Sequence, residues 1–327
     1  MLDIVKQCQD ANRIGITGHI NPDGDCIGST VGMWQFLKKV FPQKEIYVLL
    51  EQPAEMFHFI KGVSEIILMD EDVKLTKEQE ELHFNVMIVI DTVIERTGKA
   101  QSYIQSAEKV INIDHHISNL GQGDVWLVDP KASAAAEIVY ELLTMNDEYK
   151  SYMDRELAQT LYIGIIHDTG VMQYSNTSPK TLRIVAELIA FGFDFTRLID
   201  ETFYQRTPMQ AKMTGKALQE AYTLLDGKMI VGEIDYETIS SLNVTKKELS
   251  GIVSQLRYVE GVDVALFMYA LKPNAYKISL RSREIVDVAK VCEVFGGGGH
   301  IRAAGCSMEG RAKDIIEKIA QQVSLQL

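Results

Sequence analysis

Short apolar runs alternate with longer segments of helical periodicity along the first half of the chain. Several runs are almost continuously apolar, which is typical of strands that are covered on both faces in a parallel sheet. The pattern predicts strands at 13–18, 45–50, 65–70, 86–92 and 110–116. It predicts helices at 25–40, 133–145, 153–168 and 179–191. This alternation indicates an α/β domain with a doubly wound, mostly parallel sheet.

The pattern changes beyond residue 190. The region 191–209 loses the strand pattern and is predicted to be a connector, with Pro208 opening a new helix at its first turn. Strands are predicted at 228–234, 262–271 and 275–282, and helices at 246–259 and 311–324. Asn274 favours a hairpin between the last two strands. We therefore expect a first domain at 1–190 and a smaller α+β domain with a mixed sheet at 210–327, with the active-site cleft between them.

The composition is that of an ordinary globular protein. A chain of 327 residues suggests about two domains, and 46% hydrophobic with 24% charged residues is typical of soluble proteins. No apolar run approaches the ~20 residues of a membrane span, and the N-terminus lacks the features of a signal peptide. The four cysteines form no CxxC pair, so we expect reduced thiols and a cytoplasmic location.

The net charge of −12 argues against a protein that wraps long duplex DNA, since such proteins carry a strong basic surface. A short oligonucleotide or nucleotide substrate remains compatible with this charge. Acidic residues gathered around metal cations would contribute to the negative count, and an acidic solvated surface explains it equally well.

Carboxylate and imidazole side chains follow several of the predicted strands. A single aspartate after a strand usually caps a helix or forms a turn, but here four separate segments carry such residues. In open α/β sheets the carboxyl ends of the strands are where ligands bind. The residues are His19, Asp23 and Asp25 in TGHINPDGDCIGS, Asp91 after VMIVI, Asp114, His115 and His116 in VINIDHH, and Asp168 in GIIHDTG.

Mixed carboxylate and imidazole ligands without thiolate suit Mn²⁺, and less well Mg²⁺, Fe²⁺ or Co²⁺. The set is larger than one ion needs, and a carboxylate can bridge two ions. Two ions ~3.5–4 Å apart are the usual means of phosphoester hydrolysis. The residue types therefore predict a two-metal phosphohydrolase.

A second constellation lies near the C-terminus, where FGGGGHIRAAG spans 295–305. Four successive glycines allow positive φ and a close approach of backbone N–H groups to an anion. Arg281, Ser282 and Arg283 end a predicted strand upstream. We interpret these features as a phosphate-binding nest, with a flexible loop and a helix C-cap at Gly296 as the alternative. No Gly-Lys-Ser/Thr follows, so this is not a Walker A loop.

The motifs HINPDGDCIGS, VIDT, NIDHH and GIIHDTG, in this order, resemble the four motifs of the DHH phosphoesterases. SLRS and FGGGGHIRAAG resemble the DHHA1 domain that follows in part of that family. The arrangement is most similar to the bacterial nanoRNase and 3′-phosphoadenosine 5′-phosphate (pAp) phosphatase group. The resemblance implies a hydrolase that degrades RNAs of two to five nucleotides and converts pAp to AMP.

Alternatives within the family remain open. They are a phosphodiesterase for pApA or cyclic di-AMP and, with less support, a pyrophosphatase or exopolyphosphatase. A nucleotide-binding regulator with a vestigial site is a further alternative. The sequence also leaves open whether the chain forms a homodimer.

The resemblance also implies residue roles in a centre with two Mn²⁺ ions, or Mg²⁺ or Co²⁺ in their place. One ion would be held by His19, Asp23 and Asp91, and the other by Asp25, Asp91, His115 and Asp168. His116 would be catalytic or contact the phosphate, and Asp114 would orient an imidazole. His167 has no assigned role. The residues implied to grip the terminal phosphate or nucleotide are Arg281, Ser282, Gly298, Gly299 and His300.

Overall fold

The computed structural model describes residues 2–327 and divides into two compact units, Met1–Gln205 and Arg206–Leu327. The first unit contains a six-stranded sheet in which every neighbouring pair is parallel. The strands are β1 (Arg13–Thr17), β2 (Glu45–Leu50), β3 (Ile67–Leu68), β4 (Val86–Ile90), β5 (Lys109–Asp114) and β6 (Val125–Val128). Their order, β3-β2-β1-β4-β5-β6, is that of a doubly wound fold, so the predicted fold class is confirmed.

Nine α-helices connect or cover these strands within the described part of the first unit. They include the four predicted helices, and a π-helical turn, Asp200–Tyr204, follows the last of the nine. The helices are α1 (Ile4–Cys8), α2 (Gly24–Val40), α3 (Lys77–Glu80), α4 (Gln101–Ser106), α5 (Ala135–Leu143), α6 (Asp147–Lys150), α7 (Arg155–Asp168), α8 (Pro179–Ile189) and α9 (Phe195–Ile199). Short 3₁₀ helices occupy Glu55–Phe57, Val63–Glu65, Ile94–Arg96 and Gly98–Ala100.

Both faces of the first sheet are buried, which explains its continuous apolar runs. On β4, Ile88 and Ile90 belong to a core cluster that also contains side chains of α2, α5 and α7. Met87 and Val89 point to the opposite face and belong to a second cluster with residues of α4. Because successive strand residues point to opposite faces, a strand covered on both sides is apolar at every position.

A stripe of glycines on α2 lets it pack closely against α7. A Cβ on Gly28 would lie 2.6 Å from the backbone nitrogen of Gly164, and a Cβ on Gly32 would lie 2.8 Å from the side chain of Leu161. These positions are spaced four residues apart, so they share one helix face. The close approach brings the start of α2 and the end of α7, which carry acidic residues of the predicted site, into the same region.

The second unit contains a mixed six-stranded sheet, as predicted. Its strands are β7 (Tyr222–Leu224), β8 (Met229–Ile234), β9 (Val264–Lys272), β10 (Ala275–Ser282), β11 (Gly298–His300) and β12 (Ala303–Glu309). The order is β11-β12-β10-β9-β8-β7, with a parallel β8–β9 pair and antiparallel neighbours elsewhere. The predicted hairpin joins β9 to β10, with Asn274 at φ 60°.

Five helices belong to the second unit: α10 (Pro208–Gln219), α11 (Tyr236–Leu242), α12 (Ile252–Arg257), α13 (Val288–Glu293) and α14 (Ala312–Ser324). Pro208 opens α10 as predicted. The prediction of one helix over 246–259 was wrong, because a 3₁₀ helix, Lys246–Leu249, ends before Gly251, which has φ 83°. A helix cannot continue through that left-handed conformation.

None of the helices within residues 2–327 combines the length and apolar character needed to cross a lipid bilayer.

Candidate metal centre

Three adjacent strands of the first sheet deliver the predicted ligands to one edge. His19 lies two residues beyond β1, Asp91 directly follows β4, and Asp114 is the last residue of β5. His115 and His116 come next in the chain. Strands β1, β4 and β5 are neighbours and parallel, so their carboxyl ends meet at the same edge.

Asp91 lies between two imidazoles. Its Oδ2 is 3.5 Å from Nε2 of His19, and its Oδ1 is 3.4 Å from Nε2 of His115. The residue is 3% exposed, and its Oδ1 accepts no hydrogen bond from any group that the structure describes. Its φ of 64° is unusual for a non-glycine residue, and such strain is typical of functional sites.

His19, Asp23 and Asp91 form one group whose candidate ligand atoms all lie within 4.8 Å of one another. Nε2 of His19 is 3.6 Å from Oδ1 of Asp23. Nδ1 of His19 is 2.8 Å from the carbonyl oxygen of Ile20, to which it donates its hydrogen. Since Nδ1 carries this hydrogen, Nε2 is the ring nitrogen that can bind a metal when the ring is neutral.

Asp25, His115 and Asp168 form a second such group. Nε2 of His115 is 3.8 Å from Oδ2 of Asp25 and 3.5 Å from Oδ2 of Asp168. Asp25 lies in the first turn of α2, and its carboxylate accepts hydrogen bonds from the backbone N–H groups of Ala135 (2.6 Å) and Ala136 (2.9 Å). These two residues begin α5, so a helix N-terminus stabilises a fully buried carboxylate.

The close carboxylates perturb one another's protonation. Burial, with the charges of Asp91 and Asp168, raises the pKa of Asp25 well above its usual value. Burial and the same kind of repulsion raise the pKa of Asp168 to about 6. Burial alone would lower the pKa of His19 and His115, but the neighbouring aspartates raise both values to about 10. The site therefore attracts positive charge strongly.

These residues fit divalent cations. A buried carboxylate oxygen without a hydrogen bond, at Oδ1 of Asp91, is costly unless a cation or proton satisfies it. The surrounding carboxylates and imidazoles, without a thiolate, form a donor set that suits Mn²⁺ and related ions. Because the two oxygens of Asp91 face different groups, the arrangement can hold two ions that share this carboxylate.

Asp114 and His116 form a third such group with Asp91 and His115, which overlaps the first two. Oδ1 of Asp114 is 2.7 Å from Nδ1 of His116 and also accepts the backbone N–H groups of His115 and His116. Burial would raise the pKa of Asp114, but these bonds and one from Asn119 lower it. The hydrogen bond that the ring donates to Asp114 raises the pKa of His116, whose side chain is 42% exposed.

Two asparagines of this site were missed by sequence reasoning. Asn112 is buried within β5 and Asn119 is buried shortly after His116. Their hydrogen bonds join the backbone around Asp91 to the carboxylate of Asp114. The available signal was Asn112 itself, since a polar residue in the otherwise apolar VINI run must find a buried partner.

His167, unassigned from the sequence, packs inside the first unit. Its ring lies against Phe57 and Phe203, with centroid distances of 5.1 and 4.5 Å. It also lies against the Cα of Gly24, which separates Asp23 from the next predicted ligand in the chain. Burial lowers the pKa of His167 to about 4, so the ring is neutral near pH 7.

In the second unit, the sheet register aligns Arg281, Ala303 and His300. Arg281 of β10 pairs with Ala303 of β12, which pairs in turn with His300 of β11. Directly opposed residues point to the same face, and the small Ala303 side chain leaves space between its two neighbours. Ser282, the next residue of β10, is fully buried.

The glycine run is structured. Gly296, at φ 72°, follows the end of α13, and the N–H of Gly297 bonds to the carbonyl of Cys292, as in a helix C-cap. Gly298 and Gly299 are exposed and pair with β12. A Cβ on Gly299 would lie 2.5 Å from the carbonyl oxygen of Ala303.

The sequence matches the family model described as DHH family, N-terminal domain, over residues 13–165, and the DHHA1 domain model over residues 226–325. It is similar to proteins named bifunctional oligoribonuclease and PAP phosphatase NrnA. The Thermus thermophilus protein is 28% identical over 96% of this chain and 90% of its own length. The Bacillus subtilis protein is 28% identical over 94% of this chain and 92% of its own length.

A crystal structure of an exopolyphosphatase-related protein from Bacteroides fragilis has the same fold, with a TM-score of 0.88 at 23% identity. The alignment covers 98% of this chain and 94% of that one. The two family models and the relatives, which span nearly the whole chain, confirm the resemblance inferred from the ordered motifs. The protein belongs to the DHH family of phosphoesterases, with a DHH domain followed by a DHHA1 domain.

Proposed function

We propose that this protein is a metal-dependent phosphoesterase that degrades RNAs of two to five nucleotides to mononucleotides and dephosphorylates pAp to AMP. The observation that carries the proposal is the position of Asp91, whose two carboxylate oxygens face His19 and His115 separately. The relatives named oligoribonuclease and PAP phosphatase support the substrate class.

The proposed centre would hold two Mn²⁺ ions in the first domain, assigned to residues 1–190. His19 and Asp23 would hold one ion, and Asp91 would be shared between the two. The remaining ligands of the second ion are Asp25, His115 and Asp168. When bound, the ions supply a hydroxide nucleophile at neutral pH and neutralise charge on the phosphate.

In this proposal His116 acts on the substrate directly. Its Nδ1–H donates to Asp114, so the ring presents Nε2 to the reacting phosphate. The raised pKa of His116 favours the imidazolium. Nε2–H then donates to an oxygen of the phosphate group or to the leaving oxygen, and Asp114 stabilises the charged ring.

Substrate binding is assigned to the second domain, at residues 210–327. Arg281 and His300 flank the small Ala303 on one face of the sheet, an arrangement that suits a terminal phosphate. Backbone N–H groups of Gly298 and Gly299 complete the proposed set. The side chain of Ser282 is buried and, as the residue next to Arg281 on β10, points to the opposite face of the sheet, so its predicted role is not part of this arrangement. The four buried free cysteines suit a reducing compartment, and we propose a cytoplasmic location.

A product time course on 5′-labelled RNAs of two to twenty-four nucleotides with Mn²⁺ tests this function. We expect RNAs of two to five nucleotides to be converted to mononucleotides while the longest persist, and pAp to release phosphate. Parallel reactions with pApA, cyclic di-AMP and pyrophosphate separate the alternatives. Faster turnover of pyrophosphate than of every nucleotide substrate would contradict the proposal.

A further inference from the structure

A chain of buried amide side chains runs beneath the metal centre. Asn112 lies in β5 and is completely buried. Its Nδ2 donates to the carbonyl oxygens of Val89 (3.2 Å) and Thr92 (2.9 Å). These residues lie two positions before and one position after Asp91, so Asn112 holds the strained turn that carries the shared carboxylate.

Asn119 extends this chain from Asn112 toward Asp114. Its Nδ2 donates to Oδ1 of Asn112 (2.8 Å) and to Oδ2 of Asp114 (2.7 Å). Its Oδ1 accepts the backbone N–H of Gly121 at 2.9 Å. Both amide hydrogens and the amide oxygen are thereby engaged, which fixes one orientation of a side chain that is only 4% exposed.

Asp114 transmits this orientation to His116. One carboxylate oxygen accepts from Asn119, and the other accepts from Nδ1 of His116 at 2.7 Å. A carboxylate held at both oxygens cannot rotate freely, so it fixes the plane of the imidazole ring and the direction of Nε2. Without Asn119, one oxygen of a fully buried carboxylate would lose its donor.

We propose that Asn119 is a positioning residue that holds the Asp114 carboxylate, and through it the His116 ring, in a fixed relation to Asp91. This inference rests on the proposed function, in which His116 acts on the phosphate. Asn119 itself does not contact the substrate. The amide must donate two hydrogen bonds and accept one, so neither a small residue nor a carboxylate of the same shape can replace it.

The kinetic test uses Asn119→Ala and the isosteric Asn119→Asp in the full-length, Mn²⁺-loaded protein. We expect kcat on a dinucleotide to fall about 10–100-fold in both variants, while KM and bound Mn²⁺ stay unchanged. In a His116→Ala background, Asn119→Ala should reduce kcat no further, because the two residues act as one unit. The inference would be overturned if the losses of kcat from His116→Ala and Asn119→Ala added up in the double variant, or if Asn119→Asp had the kcat of the wild type.

Asn85 provides a matched control at the opposite end of the same sheet. Its Oδ1 accepts the backbone N–H groups of Asn12 and Arg13, and its Nδ2 donates to Glu108. Asn85→Ala removes the same number of hydrogen bonds far from the centre. We expect it to lower the thermal midpoint of unfolding while kcat stays within twofold of the wild type. If Asn85→Ala lost as much kcat as Asn119→Ala, the loss in Asn119→Ala would be due to reduced stability and not to the position of His116.

NMR of the metal-free, ¹⁵N-histidine-labelled protein tests the inference without substrate. The chain has seven histidines, so His116→Gln identifies the relevant signals. We expect a downfield, slowly exchanging Nδ1–H of His116 in the wild type and in Asn85→Ala, and its loss in Asn119→Ala. Retention of that signal in Asn119→Ala would overturn the inference even if RNA and pAp prove not to be substrates.

Discussion

The Cα of Gly24 lies against the ring of His167, so closely that a methyl group on Gly24 would be 2.2 Å from Cγ of the imidazole. Gly24 separates two predicted metal ligands, Asp23 and Asp25, at the start of α2. Its backbone is helical, so alanine would suit the local conformation. The glycine is required because a ring from the end of α7 occupies the space of a side chain.

We therefore predict that Gly24→Ala lowers Mn²⁺ affinity at least tenfold by shifting Asp23 and Asp25. Isothermal titration calorimetry measures this loss, and Gly24→Ala/His167→Ala should recover much of the affinity. Gly215→Ala in α10 is the control, because a Cβ there would meet nothing within 4 Å. Wild-type affinity in Gly24→Ala would show that this contact does not position the ligands.

Asp91→Asn tests the shared carboxylate with little disturbance of the backbone. Asparagine tolerates the left-handed conformation at φ 64°, whereas alanine would add strain. We expect turnover to fall at least a thousandfold and bound Mn²⁺, measured by metal analysis after gel filtration, to fall below two ions per chain. Asp70→Asn, in the loop after β3 where the side chain accepts the N–H of Gln52, should change neither quantity. Two tightly bound ions in Asp91→Asn would contradict the bridge.

Arg281→Ala should raise the KM for pAp and dinucleotides about tenfold or more, since a guanidinium–phosphate contact is lost. Metal content should remain at the wild-type value, because Arg281 is not a proposed ligand. Lys277→Ala is the control. It removes a cation from the same face of β10, about 13 Å along the strand from Arg281, and should leave KM unchanged. Steady-state kinetics with metal analysis checks both variants, and loss of metal from Arg281→Ala would refute its role as a phosphate ligand.

Asp263 links stability to pH in the second unit. It is 6% exposed and accepts the backbone N–H groups of Glu284, Ile285 and Val286. Burial would raise its pKa, but these three bonds and the charge of Arg302 lower it below 3.8. Its stabilising contribution is therefore complete above the unfolded-state pKa and disappears as the pH falls through the lower folded-state value.

We accordingly expect Asp263→Asn to lower the free energy of unfolding by about 1–3 kcal/mol at pH 7. The difference from the wild type should shrink as the pH falls below ~4, because the carboxyl is then protonated in the unfolded chain while the folded state still favours the charged form. Urea unfolding, followed by circular dichroism at several pH values, measures the free energy of unfolding of both proteins and hence this difference. A difference that is the same at pH 7 and pH 3 would mean that the charge of Asp263 is not what stabilises the loop.

The fold class and the ligand-bearing strand ends could be predicted from the sequence because each rests on a local signal. The β4 run is apolar at every position, and Asp91 follows it directly. Strand β6 gave little signal because it is short and partly exposed. Strands β11 and β12 were missed because glycine and alanine, which are both less frequent in strands than β-branched and aromatic residues, make up much of them.

Contacts between distant segments could not be predicted. The hydrogen bonds from Ala135 and Ala136 to Asp25 join segments more than 100 residues apart, and no local pattern marks them. The packing of His167 on Gly24 is of the same kind. The interruption at Gly251 was missed because the residues around it continue a helical apolar pattern.

Anomalous diffraction from crystals grown with Mn²⁺ tests the shared-carboxylate centre most directly. We expect two manganese peaks ~3.5–4 Å apart, one within bonding distance of Nε2 of His19, the other of Nε2 of His115, with an oxygen of Asp91 bound to each. A single peak, or two peaks that do not both contact Asp91, would contradict the two-ion mechanism.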